Sequence, residues 1–334
     1  MRDNNFNRLL KVLSREKIDE PVLFEYLLNT EIFDSFAGYS LTNEATEKEK
    51  LAYTTAAFAK IGYDHVIFSP ESFHFTHNHT MKGKSLSMNE GVLIRDWESF
   101  KAYPWPDPHA ADYSILREAE TILPPKMRIV LPAPWGIIEN ITSFLGYDNL
   151  CLLIYDDPGL IKAVCDAVGE RLVEYYKICV PYNSVGAIIY NDDWGFNTGT
   201  MFSPDFFHEY IFPWVRKITD VAHKNGKPAI IHSCGKLDKL MDIIIDDLKF
   251  DGKHSFEDKI MPIEEAYKIY GGRIALLGGI DVNFMCRASK DEIFNRSKNL
   301  LRLGETGYAL GTGNSVPYYV PKENYLAMIS AAGI

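Results

Sequence analysis

His232 and Cys234 are the residues whose types and spacing point most directly to chemistry. His232 ends the apolar run PAIIH and Cys234 lies two residues on, and that separation on an emerging strand end turns both side chains to one face. An imidazole and a thiolate converging there make half of a tetrahedral zinc site. A histidine bonded to a carbonyl beside an inert buried thiol has the same spacing, so the pair alone leaves both readings open. The next run ends in His254-Ser255-Phe256-Glu257, and a closed barrel would bring the Glu257 carboxylate, or the His254 imidazole, beside the pair. His232, Cys234 and Glu257 are therefore the candidate metal ligands, and His254 is a candidate catalytic group.

Other strand ends are also polar. GAIIYN runs into Asn191-Asp192-Asp193-Trp194-Gly195, where Asp192 and Asp193 are candidate catalytic carboxylates for a cationic or NH-rich ligand; capping the following turn is the plainer role for either. Gly279 and Asp281 follow one later run, and Gly313, Asn314 and Ser315 follow the last. Many barrels hold a phosphate through backbone N–H groups in these two loops, so Gly279, Asp281, Gly313 and Ser315 are the candidate cofactor contacts and Asn314 a catalytic candidate. Tight turns that admit a substrate explain the glycines more simply. His74, His77 and His79 form HxxHxH, but alternation places His74 on the face opposite the other two.

Eight short apolar or β-branched runs must position these groups: 21–26, 65–69, 128–133, 186–191, 228–232, 250–255, 273–278 and 307–311. The sixth is the weakest, interrupted by Asp251, Gly252 and Lys253. Helical patterns separate most of them. Ser289 with Glu292 is a capping box for a helix ending before Gly304, and Pro204, Pro262 and Pro321 sit where first helical residues belong, with a kink expected at Pro213. The alternation predicts an α/β fold, a single (β/α)8 TIM barrel over 1–334 with an N-terminal extension. Residues 71–125 break the rhythm and are read as an inserted hairpin and arm over the C-terminal face. A doubly wound sheet is the alternative, but no GxGxxG follows the first run.

The chain has 334 residues, 46% hydrophobic and 24% charged, which suits a folded core. With 35 Lys+Arg against 45 Asp+Glu its formal charge is −10, the wrong sign for a nucleic-acid partner. Neither a signal-peptide core nor a stretch of about 20 apolar residues occurs, so a soluble cytoplasmic protein is expected. Five widely spaced cysteines with no CxxC argue against a disulfide framework; Cys234 alone has a chemical context.

IIHSCGKLDKLMDIIID, with NDDWG and MFSPDFFHEYIFPWVRKI before it and GGID and GTGNSVPYYVPKENYLAMI after it, resembles the uroporphyrinogen decarboxylase superfamily, nearest its corrinoid:coenzyme M methyltransferase branch. The resemblance covers about residues 130–332 well and the first 130 poorly. It implies a (β/α)8 barrel and, in that branch, a zinc held by the His and Cys of HxC, matched by His232 and Cys234, and by a second Cys after the last strand. Glu257 lies near the spacing of a further carboxylate ligand. The chain departs at the last ligand, having Asn314-Ser315-Val316-Pro317 there, while Cys286 belongs to a preceding helix. The site implied is His, Cys and carboxylate with an open position.

That resemblance implies a zinc-dependent methyltransferase using a corrinoid (cobalamin) carrier, on its own or on a corrinoid protein partner, and a small thiol or related acceptor. A metal with fewer thiolate ligands is more electrophilic and favours a harder atom, such as the oxygen of an aryl methyl ether. The alternative is the namesake cofactor-independent decarboxylation. It is disfavoured because Lys17–Tyr39 lacks the arginine-bearing motif and an acidic protein suits a polycarboxylate badly. A third reading is a non-catalytic module docking a corrinoid protein over a mouth lined by Trp194, Phe196, Tyr318 and Tyr319. Self-association is left open.

Overall fold

The computed structural model describes residues 3–78, 88–89 and 91–333. Seven parallel strands form one curled sheet whose spatial order follows the chain: His65–Ile67, Arg128–Pro132, Val185–Asn191, Ala229–His232, Gly252–His254, Ala275–Leu277 and Tyr308–Ala309. Helices lie between consecutive strands, giving the expected α/β TIM-barrel-like architecture. The interrupted sixth run is a strand after all, in register with both neighbours through Gly252, Lys253 and His254.

The first run, 21–26, is not a full strand. Leu23 makes one parallel bridge to Leu310, supported by Phe24 N–H donating to Leu310 O and Leu310 N–H to Val22 O. Among the described residues no ladder joins it to His65–Ile67. The Glu25 carbonyl is instead engaged by the His65 ring, Nε2 to O 3.2 Å.

Inward-facing Phe24, Val130, Ala187, Ile189, Ile230, Ala275, Leu277 and Ala309 fill the barrel, and Phe6, Leu9, Val12 and Leu13 of the N-terminal segment join the same core. Close approach of that segment explains Gly186 and Gly252, where a Cβ would lie 2.4 Å from the Phe6 ring and 2.7 Å from Leu13 Cδ2. A larger second core packs the outer strand faces against the helices.

Helix ends mostly follow the sequence signals. Ser289 and Glu292 form the capping box of Lys290–Leu303, with Ser289 O–H donating to Glu292. Pro262 and Pro321 are N-cap residues, one position earlier than expected. Before Pro213 the backbone widens into a π-helical turn, Phe207–Ile211, between Pro204–Phe206 and Phe212–Lys224. A wider turn accommodates a ring that lacks an N–H and would crowd the preceding carbonyls.

In 71–125 the described residues contain no strand, and 79–87 and 90, where the turn of the expected hairpin would fall, lie outside them. The described residues hold Trp97–Ala102, a 3-10 turn at Pro108–Ala110 and Ser114–Ile122. Leu93 and Ile94 N–H donate to Phe144 O, Trp97 Nε1 donates to Asp157, and Arg171 stacks on Trp105, so the segment is tied to the helices following the second strand. Among the described residues no helix is long and apolar enough to cross a membrane.

Candidate metal centre

Strand alternation decides which residues meet in the mouth. In Val185–Asn191, Ala187 and Ile189 face the barrel interior; in Ala229–His232, Ile230 does, so His232 follows it inward. In the Gly252–His254 strand, Gly252 and His254 face inward, and register pairs His232 directly with His254. The Tyr26 ring stacks on His232 with centroids 4.4 Å apart and planes at 19°.

Beyond His232 the chain turns sharply. Gly235 has φ +85° and its backbone touches that of Gly195, where a Cβ on Gly235 would sit 2.1 Å from the Gly195 carbonyl carbon. This crossing brings the loop after His232 against the loop after Asn191. Asp193 Oδ1 accepts from Cys234 N–H at 2.9 Å, and Ser233 Oγ accepts from Trp194 N–H at 3.0 Å. The result is one compact group: ligand atoms of Asp193, His232 and Cys234 all lie within 4.8 Å of one another, with His232 Nε2 4.0 Å from Cys234 Sγ. Ser255 O–H and Asn314 Nδ2–H point at the same sulfur, at 3.4 and 3.2 Å.

His232 and Cys234 thus meet as expected, but the carboxylate that joins them is Asp193. Glu257 is outside this group and opens instead onto a neighbouring cleft of about 710 Å³ shared with Asp281, Asn314 and Ser315. The reason lies in the backbone: Ser255 has φ +82°, and Phe256 N–H donates to Gly313 O, carrying the chain toward the last loop before Glu257 is reached. Asp192 is fully buried and takes the structural role. Its oxygens accept from Ile138 and Glu139 N–H at the start of helix Ile137–Leu145, from Trp194 Nε1–H and from Tyr190 O–H. Burial still pushes its carboxyl up to about 6.

His254 stands behind His232, with the two Nδ1 atoms 2.7 Å apart. Asn314 contacts the sulfur itself. Gly279 and Gly313 use their N–H groups on Thr312 O and Ile280 O, which removes them as phosphate donors. Asp281 caps helix Val282–Arg287 through Phe284 N–H and also accepts from Asp258 N–H. Ser315 lines the cleft while its N–H donates to Asn314 Oδ1. Trp194 is buried rather than lining the mouth, whereas Phe196, Tyr318 and Tyr319 are exposed. His74 and His77 bond separately, to Glu71 O and Ser143 Oγ, and His79 lies outside the described residues.

Burial sets the protonation of the site. It pushes the Cys234 thiol up to about 12, aided by the Asp193 charge, and pulls His232 down to about 4. A neutral imidazole beside a thiol that ionises only with a cation nearby is the donor chemistry a zinc ion requires, so these residues fit the metal. Two neighbours were not evident from sequence. Glu139, at the start of its helix, is pushed well above the usual carboxylate range by burial and by Asp192 and Asp193. Tyr26 is raised by burial and by Glu139, Asp193 and Cys234. The signals were weak: a lone acid in GIIENITSFLG and an aromatic ending the first run. Lys253 faces outward from the barrel and donates to the Ser255 carbonyl at 2.6 Å, tying down the residue that addresses Cys234.

A model of the family described as uroporphyrinogen decarboxylase (URO-D) matches residues 6–333, well beyond the part that carries the motifs. A curated uroporphyrinogen decarboxylase of Anaeromyxobacter dehalogenans is 25% identical over 191 residues, 56% of this chain and 51% of the relative, so the match spans about half the relative's length. Among solved structures, a methyltransferase from Methanosarcina mazei superposes with TM-score 0.72 at 18% identity over 99% of both chains. A putative vitamin-B12 independent methionine synthase from Listeria monocytogenes gives 0.51 at 10% identity, over 94% of this chain and 98% of that one. At these identities the likeness is one of fold.

Proposed function

Given that the chain belongs to the uroporphyrinogen decarboxylase family, we propose that it is a zinc-dependent methyltransferase moving a methyl group between a corrinoid and a small thiol or related acceptor. The observation that carries this reading is the convergence of Asp193, His232 and Cys234 at the C-terminal mouth of the barrel, the place where such folds perform chemistry. Corrinoid as the carrier is what the motif resemblance implies.

Asp193, His232 and Cys234 would hold the zinc, which when bound supplies Lewis acidity that lets an acceptor thiol or hydroxyl react in its ionised form near neutral pH. The chain's own groups supply orientation. Asp193 fixes the Cys234 backbone, Ser255 O–H and Asn314 Nδ2–H are directed at the sulfur, and Tyr26 holds the His232 ring by stacking. The adjoining cleft, with Glu257, Lys259, Asp281 and Arg287 on its walls, suits a small polar acceptor of mixed charge. It suits a polycarboxylate poorly, because two of its four charged groups are acidic, which weighs against the decarboxylase alternative.

The test is zinc content of the purified protein by elemental analysis, together with methyl transfer from methylcobalamin to a thiol followed by the visible spectrum of the corrinoid. Stoichiometric zinc and turnover, both lost in Cys234→Ala, are expected. A metal-free wild type whose Cys234→Ala variant keeps full activity would overturn the reading.

A further inference from the structure

We infer that His254 is a positioning residue that dictates which nitrogen of His232 is offered to the metal, through a direct hydrogen bond between the two imidazoles. The inference rests on the metal reading above and concerns a residue outside the ligand group.

The two histidines are register partners on adjacent parallel strands, and both face the barrel interior. Their rings are stacked with centroids 5.0 Å apart and planes at 27°, and the Nδ1 atoms are 2.7 Å apart, a hydrogen-bond distance. Contact between two Nδ1 atoms is favourable when one carries the proton and the other presents its lone pair. His232 Nε2 faces Cys234 Sγ, and a ligating nitrogen presents a lone pair. The proton of His232 therefore sits on Nδ1, which donates, and His254 Nδ1 accepts. The proton of His254 is then on Nε2.

The surroundings enforce this arrangement. His254 is fully buried, and its Nε2 edge fits against Gly278, where a Cβ would lie 3.1 Å from that nitrogen. The Thr312 backbone carbonyl approaches the His254 ring from that same edge, an acceptor that favours the proton on Nε2 and leaves Nδ1 to accept. Tyr26 covers His232 on a stacked face, which restrains rotation of the ligand ring. Metal-binding histidines commonly lean on a carboxylate or carbonyl. Here the support is a neutral imidazole, which orients the ligand without adding negative charge behind it and so leaves the metal more electrophilic.

Two measurements test this. In metal-free wild-type protein, long-range proton–nitrogen NMR of labelled histidines should show His232 protonated at Nδ1 and His254 at Nε2; the reverse pair of tautomers overturns the inference. In chelator competition, His254→Phe, which fills the space without an acceptor, should bind zinc about 10- to 100-fold more weakly. His254→Asn, whose Oδ1 replaces the Nδ1 acceptor, should recover most of that loss. Wild-type affinity in His254→Phe overturns the inference, and if that variant fails to fold, the wild-type tautomers decide. A wild type that binds no zinc but shows the stated tautomers overturns the metal reading while the hydrogen-bond assignment stands.

Discussion

Asn314 Nδ2 lies 3.2 Å from Cys234 Sγ and directs a hydrogen bond at it, from the loop where the family resemblance calls for a second cysteine. The amide occupies the ligand's neighbourhood but acts on the sulfur. An N–H directed at a sulfur stabilises its thiolate and draws charge from it.

Asn314→Cys should convert this contact into a ligand. Zinc affinity, measured by chelator competition, should rise on the order of tenfold or more, the scale of single changes around a bound metal. Cys234→Ser should reduce zinc to a trace in the same assay. Equal affinity of the wild type and Asn314→Cys would place residue 314 too far from the metal.

Asp192→Ala should destabilise the fold by about 2–4 kcal/mol, because it leaves buried donors on Ile138, Glu139, Tyr190 and Trp194 without their acceptor. Urea denaturation measures it. A change below about 0.5 kcal/mol, the usual scale at neutral surface sites, would contradict the cap assignment.

Gly235→Ala should disrupt the centre without touching a ligand. A positive φ and a Cβ 2.1 Å from the Gly195 backbone force the two loops apart. A loss of about 1–3 kcal/mol from strain is expected, together with weakened zinc binding. Retained stability and affinity would show that the crossing is dispensable.

His223 is raised chiefly by its hydrogen bond to Asp251, with Nε2 to Oδ2 at 2.8 Å. A raised folded-state value means the pair contributes fully below the unfolded histidine's pKa of about 6.5, and the contribution fades as pH rises through the higher folded value. Melting temperatures of wild type and His223→Gln should therefore differ most near pH 5.5 and converge by about pH 9. A gap that widens with pH would reverse the assignment.

Much of the frame was legible in the chain. Short apolar and β-branched runs marked the strands, and Ser289 with Glu292 marked a helix start, because these signals depend on neighbours in sequence. The separation of two between His232 and Cys234 put both on one face for the same local reason.

What the sequence determined by itself was the barrel rhythm and the imidazole–thiol pair. Which carboxylate joins them was decided only in three dimensions. Asp192 and Asp193 are neighbours of one chemical type, yet one turns outward to cap helix Ile137–Leu145 while the other meets Cys234 across the Gly195–Gly235 crossing. Glu257 had a fitting spacing, but the turn at Ser255 carried it to the cleft. The contact between His232 and His254 depends on register between strands 22 residues apart, and the protonation of Cys234 depends on burial. Register, loop crossings and burial arise from packing many segments together, so no local stretch of sequence encodes them.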